Sequence, residues 1–299
     1  MKKRVILFGL VLFVFLVFPT LATKVIKDDE EATHIFIGEV EEVQGYFDLN
    51  EWDDYLIFSR IKVKVKKELK GKAEKDVSFS VEGGTIGEIG LWVSESPAFK
   101  KGEAYKFYLK KTDSEYKLLK QERVMTPNQT TCCATFARWF GNSALYSINP
   151  DNNDMATSCA LTEIQAGAGA WNPPFNLQFE SLTTENKVRQ NFRNVVFFRK
   201  VKSRSTIAVT YIWYYASTGQ ILEFDMVFYD GWKFFSTGNG CTNTCNGGFY
   251  LSVIAVHEFG HAIGLDHNDC QDSIMYPYAS YCDTGWITRD DKTCADSIY

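Results

Sequence analysis

Alternation of apolar and polar residues dominates the first third of the chain. Ile61, Val63 and Val65 alternate with Arg60, Lys62, Lys64 and Lys66, the period of a strand with one buried face. Residues 77–81 repeat the pattern until Gly83-Gly84 breaks it, and residues 34–40, 105–109 and 116–119 are strand-like as well. Short strands separated by glycine turns predict a small all-β barrel or sandwich over residues 23–120. The lysine stripe is expected to be a solvated face that discourages edge pairing, with binding of a polyanion as its other reading.

Residues 121–131 are polar, contain Pro127 and the sequon Asn128-Gln129-Thr130, and read as a linker. Beyond them the pattern changes. Strands are expected at residues 143–148, 175–179, 195–198 and 207–214. Between the first two, Leu161, Ile164 and Ala168 recur at helical spacing up to Trp171. Thr157 or Ser158 is the expected cap, and Asn172-Pro173-Pro174 is the stop. Residues 219–229 alternate with Glu223 and Asp225 on the polar side. Those two carboxylates read either as a solvated strand face or as part of a cleft or calcium site. Residues 151–154, Asp-Asn-Asn-Asp, read as a turn in preference to a calcium loop. Residues 251–256 form an apolar run suited to a buried helix. Strands and helices in this mixture predict an α+β domain over residues 132–299, expected to fold on its own.

The ends and the cysteines add a compartment. Lys2-Lys3-Arg4 precede an apolar stretch at residues 5–18, and Thr20-Leu21-Ala22 offers small residues at a cleavage site, the layout of a secretory signal peptide at residues 1–22. The alternative is an uncleaved anchor holding the protein at the cell surface, although the run is short for a span. No second long apolar stretch follows. All eight cysteines lie between Cys132 and Cys294, which in an exported chain points to disulfides. On the order of a hundred pairings exist; local spacing suggests Cys241 with Cys245 and Cys270 with Cys282, the second clamping the segment that carries Met275. Cysteine-ligated zinc competes with this through the Cys241–Cys245 spacing. A net charge of −5 gives no reason to expect a nucleic-acid partner, and the oligomeric state stays open.

The most informative stretch is His257-Glu258-Phe259-Gly260-His261-Ala262-Ile263-Gly264-Leu265-Asp266-His267, of the form H-E-x-x-H-x-x-G-x-x-H. His257 and His261 lie one helical turn apart on the same face and can share one metal ion. Glu258 is placed to act as general base on a water held there. Gly264, free to take positive φ, lets the helix stop and the chain turn back, delivering His267 as a third ligand. Three protein ligands leave a fourth zinc position open, the arrangement of a catalytic site. Chance histidines on an amphipathic helix are the bland alternative, weakened by the glycine and the third histidine.

Ser273-Ile274-Met275-Tyr276-Pro277 follows. The long histidine motif and this methionine-containing turn resemble the metzincin metalloproteases and, within them, the matrixins, the matrix metalloproteinase family. The resemblance implies a metzincin-type catalytic domain with a mixed sheet, an active-site helix and Met275 as an apolar floor beneath the zinc. It also implies that the strand at residues 219–229 borders the cleft and pairs with extended substrate. The N-terminal strands, with Gly83-Gly84, loosely resemble the OB-type barrel of the tissue inhibitors of metalloproteinases, without their cysteines. Three departures stand out. No Pro-Arg-Cys-Gly string of the kind that blocks the zinc in latent matrixins is present, and His34 is the one histidine left for a second zinc site. One zinc is therefore expected, with calcium left open. Tyr278 and Ala279 follow Met-Tyr-Pro where the family often has an aromatic one place later, so the specificity pocket departs from the family's pattern. The function implied is that of a secreted zinc endopeptidase acting on protein or peptide substrates. A binding or regulatory module with an idle zinc site is the alternative. The β domain is either passive or inhibitory in cis.

Overall fold

The structure is a computed structural model that describes residues 30–113, 115–124, 132–201, 205–237, 241 and 244–299. The expected signal peptide at residues 1–22 and the sequon at residues 128–130 lie outside the described residues, as does most of the expected linker.

The strand periodicities of the N-terminal region resolve into β1 (His34–Leu49), β2 (Tyr55–Lys70) and β3 (Asp76–Glu82), followed by two short strands, β4 (Gly84–Ile86) and β5 (Ile89–Val93), then β6 (Ala104–Lys111) and β7 (Tyr116–Arg123). Strands β1-β2-β3-β7-β6 close into a barrel around Phe36, Val40, Ile61, Val63, Phe79 and Phe107. The lysine stripe on β2 faces outward, and Lys62 and Lys64 pair with Glu41 and Lys66 with Glu39.

The chain leaves the barrel at Gly83-Gly84, and β4 and β5 join a different sheet. That sheet also contains β8 (Ser143–Asn149), β9 (Asn176–Leu182), β10 (Val195–Arg199), β11 (Ala208–Tyr215) and β12 (Gln220–Tyr229), in the order β4-β5-β11-β12-β10-β8-β9. Helix α1 (Thr157–Gly169) joins the parallel strands β8 and β9. The expected caps do not form: α1 begins at Thr157, its N-cap is Ala156, and no side chain bonds the first turn. After the two-residue strands β13 (Phe234–Phe235) and β14 (Phe249–Tyr250) comes α2 (Leu251–Ala262), and α3 (Arg289–Asp296) closes the order. The Trp171 indole, just past α1, donates to the Val256 carbonyl of α2 at 2.9 Å, so the two helices are cross-braced on one face of the sheet.

Two cores follow. One lies between the sheet and the helices and includes Ile164, Trp171, Phe224, Met226, Phe259 and Met275. The other covers the opposite face and combines Leu56 and Ile57 from β2 and Leu91 and Val93 from β5 with Val209, Tyr211 and Trp213 of β11. The division of the sequence into residues 23–120 and 132–299 is therefore not a division of the packing. The buried pair Arg199–Asp54, at 2.7 Å, adds a polar tie across the same seam.

Residues 219–229, expected at the cleft, do not line the cavity that holds His257 and Glu258. They form β12, which sits between β10 and β11, so an extended ligand has no free edge there. Nor are Glu223 and Asp225 solvated: both are buried and accept backbone N–H groups from the loop before β10 and its first residue, Glu223 from Asn191 and Phe192, Asp225 from Arg189 and Val195. Burial pushes the Glu223 carboxyl up to about 7, against those donors. Residues 151–154 form a turn in which Asn152 Oδ1 accepts from the backbone of Asp154 and Met155.

All eight cysteines are bridged, as Cys132–Cys270, Cys133–Cys294, Cys159–Cys241 and Cys245–Cys282. Both local pairings expected from spacing, Cys241–Cys245 and Cys270–Cys282, are wrong. Proximity in sequence measures only the entropy of closing a loop, whereas the fold places Cys241 against α1 and Cys245 against Cys282, with Cα separations of 5.7 and 5.6 Å. The cysteine-zinc reading has no thiol left to use. The segment carrying Met275 is still clamped at both ends, through Cys270 and Cys282.

Candidate active site

Helix α2 is apolar almost throughout and nearly all of it is buried, so the two imidazoles it carries are fixed by the core. After it, Gly264 takes φ +101°, and a Cβ there would lie 2.1 Å from the Ala137 carbonyl oxygen. Only glycine fits that turn. Phe136 donates to the Gly264 carbonyl and Asp266 to the Ala134 carbonyl, so residues 134–137 hold the returning chain.

The turn brings His257, His261 and His267 together. Their Nε2 atoms are 3.1, 3.2 and 3.3 Å apart. Metal–nitrogen bonds of about 2.0–2.1 Å in a tetrahedron give an edge of about 3.3 Å, so the triangle is sized for zinc. On the two helix histidines the other ring nitrogen is engaged. His257 Nδ1 meets the Ile274 carbonyl at 2.6 Å and His261 Nδ1 the Leu265 carbonyl at 2.8 Å. Donation to those carbonyls places the proton on Nδ1 and leaves the Nε2 lone pair facing the centre. Burial holds both rings below the ordinary histidine value, in the neutral form a metal needs. Among the described residues, this trio is the cluster that could hold a metal ion.

Met275 is buried beneath α2. A Cβ on Gly260 would come within 2.3 Å of its sulfur, so glycine at that position lets the methionine seat against the helix. The turn itself hangs on Asp291, near the start of α3, which accepts from Ser273 Oγ and from the Ile274 backbone at 3.0 Å. Ile274 in turn bonds His257. Sequence reasoning missed Asp291; the available signal was Thr288-x-x-Asp291, which forms a capping box at α3.

Glu258 is buried, and its Oε2 accepts from Thr210 Oγ1 of β11 at 2.6 Å. Burial pushes the carboxyl up to about 8, with the negative charge of Glu95 adding to it and the Thr210 hydroxyl opposing it. Thr210 was also missed, though a short aliphatic hydroxyl buried in the otherwise apolar and aromatic Ala208–Tyr215 strand asks for a partner. Beside the histidines opens a cavity of 620 Å³ lined by His257, Glu258, Val253, Ile254, Tyr276 and Trp286 among others. Pro277, Tyr278 and Ala279 form part of its wall.

The matrixin family profile matches residues 138–299. The chain belongs to the matrixin family. The match covers α1, the zinc-sized triangle and the methionine-containing turn, and this matrixin domain fits the metzincin fold. Curated relatives match over less. Matrix metalloproteinase-9 of Canis lupus familiaris is 38% identical over 52 residues, 17% of this chain and 7% of that protein. Macrophage metalloelastase of Oryctolagus cuniculus is 43% identical over 54 residues, 17% of this chain and 12% of that protein. The hatching enzyme of Paracentrotus lividus is 24% identical over 186 residues, 61% of this chain and 30% of that protein. The matches to these relatives thus span well under half of their lengths. Matrixin membership supports a metalloendopeptidase in general terms. No helix among the described residues is long and apolar enough to cross a membrane.

Proposed function

We propose that the chain is a secreted, zinc-dependent endopeptidase acting on protein or peptide substrates, with one catalytic zinc. The observation that carries this is the triangle of His257, His261 and His267 Nε2 atoms at 3.1–3.3 Å, with the Glu258 carboxylate one residue from the first ligand. Zinc bound there supplies Lewis acidity toward a scissile carbonyl and toward water. Glu258 takes the proton from the attacking water and passes it to the leaving amine. Thr210 positions that carboxylate. Met275 packs beneath the ligands, and Gly264 sets the path that returns His267. The cavity beside His257, with Val253, Ile254 and Trp286 in its wall, suits an apolar substrate side chain. Export follows from the signal-like residues 1–22.

Zymography on casein or gelatin, with and without chelator, tests the activity, and Glu258→Ala separates it from an idle zinc-binding module. The variant is expected to retain metal and to lose hydrolysis by roughly 10²–10⁴-fold. Near wild-type turnover in Glu258→Ala would remove the assignment of the base, and hydrolysis that survives chelation would remove the metal.

A further inference from the structure

Side chains alternate along β5 and the residue after it. Leu91 and Val93 enter the core shared with β2. Trp92 packs against the core on the helix side, and Ser94, two residues on, is buried. Trp92 stacks on Phe136 with ring centroids 4.0 Å apart and lies 5.0 Å from the His261 ring. Phe136 is the residue whose backbone N–H holds the Gly264 carbonyl, in the turn that returns His267. One side chain of β5 thus touches a metal ligand and the segment that fixes another.

Ser94 reaches the other half of the site. Regular pairing of β5 with β11 ends at Val93 and Tyr211, where Ser96 donates to the Val93 carbonyl and the chain turns. The Ser94 backbone still donates to the Thr210 carbonyl at 3.1 Å, and its hydroxyl, in place of a strand carbonyl, accepts from the Thr210 backbone at 3.0 Å. On its other side Thr210 pairs with Met226 of β12. A β-branched side chain has few χ1 choices once its backbone is fixed, so Thr210 Oγ1 is presented to Glu258 Oε2 at 2.6 Å. Without β5, β11 would be the edge of the sheet, and Thr210 would be held from one side only.

We propose that β5 and Ser94 form a positioning element of the active site: Ser94 sets the general base Glu258 through Thr210, and Trp92 sets the metal ligand His261. This rests on the metalloendopeptidase reading. It gives the N-terminal region a part in catalysis, in place of a passive or an inhibitory one. Both are positioning residues, each acting through its neighbour.

The test uses the full-length, zinc-loaded chain in wild-type, Ser94→Ala, Ser94→Thr, Trp92→Ala and Trp92→Phe forms. Three quantities are read: kcat and KM on a quenched peptide, zinc affinity by competition with a chelator, and hydrogen exchange at the Thr210 amide. Ser94→Ala is expected to lower kcat about 10–100-fold through a misplaced carboxylate, with KM and zinc affinity unchanged and faster exchange at Thr210. Ser94→Thr keeps the hydroxyl and is expected to recover most of the rate. Trp92→Ala is expected to weaken zinc about tenfold, and Trp92→Phe, which keeps a ring against Phe136, to stay near wild type. Wild-type kcat in Ser94→Ala, or wild-type zinc affinity in Trp92→Ala, would overturn the proposal. So would a merely structural outcome, in which kcat, zinc affinity and thermal midpoint fall together in both alanine variants. Failure of the protease reading looks different: no form hydrolyses the peptide, wild type included, while exchange and zinc affinity still separate the two alanine variants.

Discussion

Asp291 accepts four hydrogen bonds, from Ser273 Oγ, the Ile274 backbone, and the Thr288 backbone and hydroxyl, where water does not reach. Through Ile274 it fixes the carbonyl that orients His257. Truncation in Asp291→Ala orphans those donors, with an expected cost of about 2–4 kcal/mol in a denaturant melt. Zinc affinity, read by competition with a chelator, is expected to fall about 10–100-fold. Unchanged zinc affinity would show that the turn does not depend on this carboxylate. Glu223 makes a second residue-scale prediction. Its folded-state value is raised from 4.5 to about 7, so the native state binds the proton that the unfolded state releases first. Its contribution is complete below about 4.5 and is lost as pH rises through about 7. Thermal midpoints measured from pH 4.5 to pH 7.5 should therefore fall less steeply in Glu223→Gln than in wild type. A parallel pair of curves would contradict the assignment.

At the scale of elements, α2 depends on the residue that ends it. Gly264→Ala places a side chain at φ +101° and 2.1 Å from the Ala137 oxygen. Strain of this kind costs about 1–3 kcal/mol, and relief would swing His267 away from the other ligands. The variant should fold with a lower midpoint and lose zinc on dialysis; full zinc retention would mean that the turn is not what positions His267. The histidine motif was legible in sequence because helical spacing and one glycine determine where three side chains must meet. Strand periodicity likewise located β2, β3 and β8 to β12. Order within the sheet was not legible: the resemblance put β12 at the cleft, and alternation, which reports only that a strand is half polar, could not show that Glu223 and Asp225 are buried against a loop. β5 was invisible for a related reason. Ile89-Gly90-Leu91-Trp92-Val93 has no alternation, and Ser94-Glu95-Ser96-Pro97 reads as a loop. Nothing local indicates a partner strand more than a hundred residues further on.

The whole molecule is a barrel that lends two strands to the sheet of a matrixin domain. Leu56, Ile57, Leu91 and Val93 are almost fully buried against β11, so residues 132–299 alone would expose Val209, Tyr211 and Trp213. Sequence division suggests that this fragment folds independently; the shared core predicts a markedly lower thermal midpoint than that of the full chain. Equal midpoints would show that the seam contributes nothing. The central claim, that three histidines and Glu258 make one zinc site for peptide hydrolysis, is tested most directly by metal analysis of the purified full-length chain coupled to a peptide assay. One zinc per chain is expected, with hydrolysis abolished by chelation and restored by stoichiometric zinc. Two tightly held zinc ions per chain, or hydrolysis that persists in the metal-free protein, would contradict it.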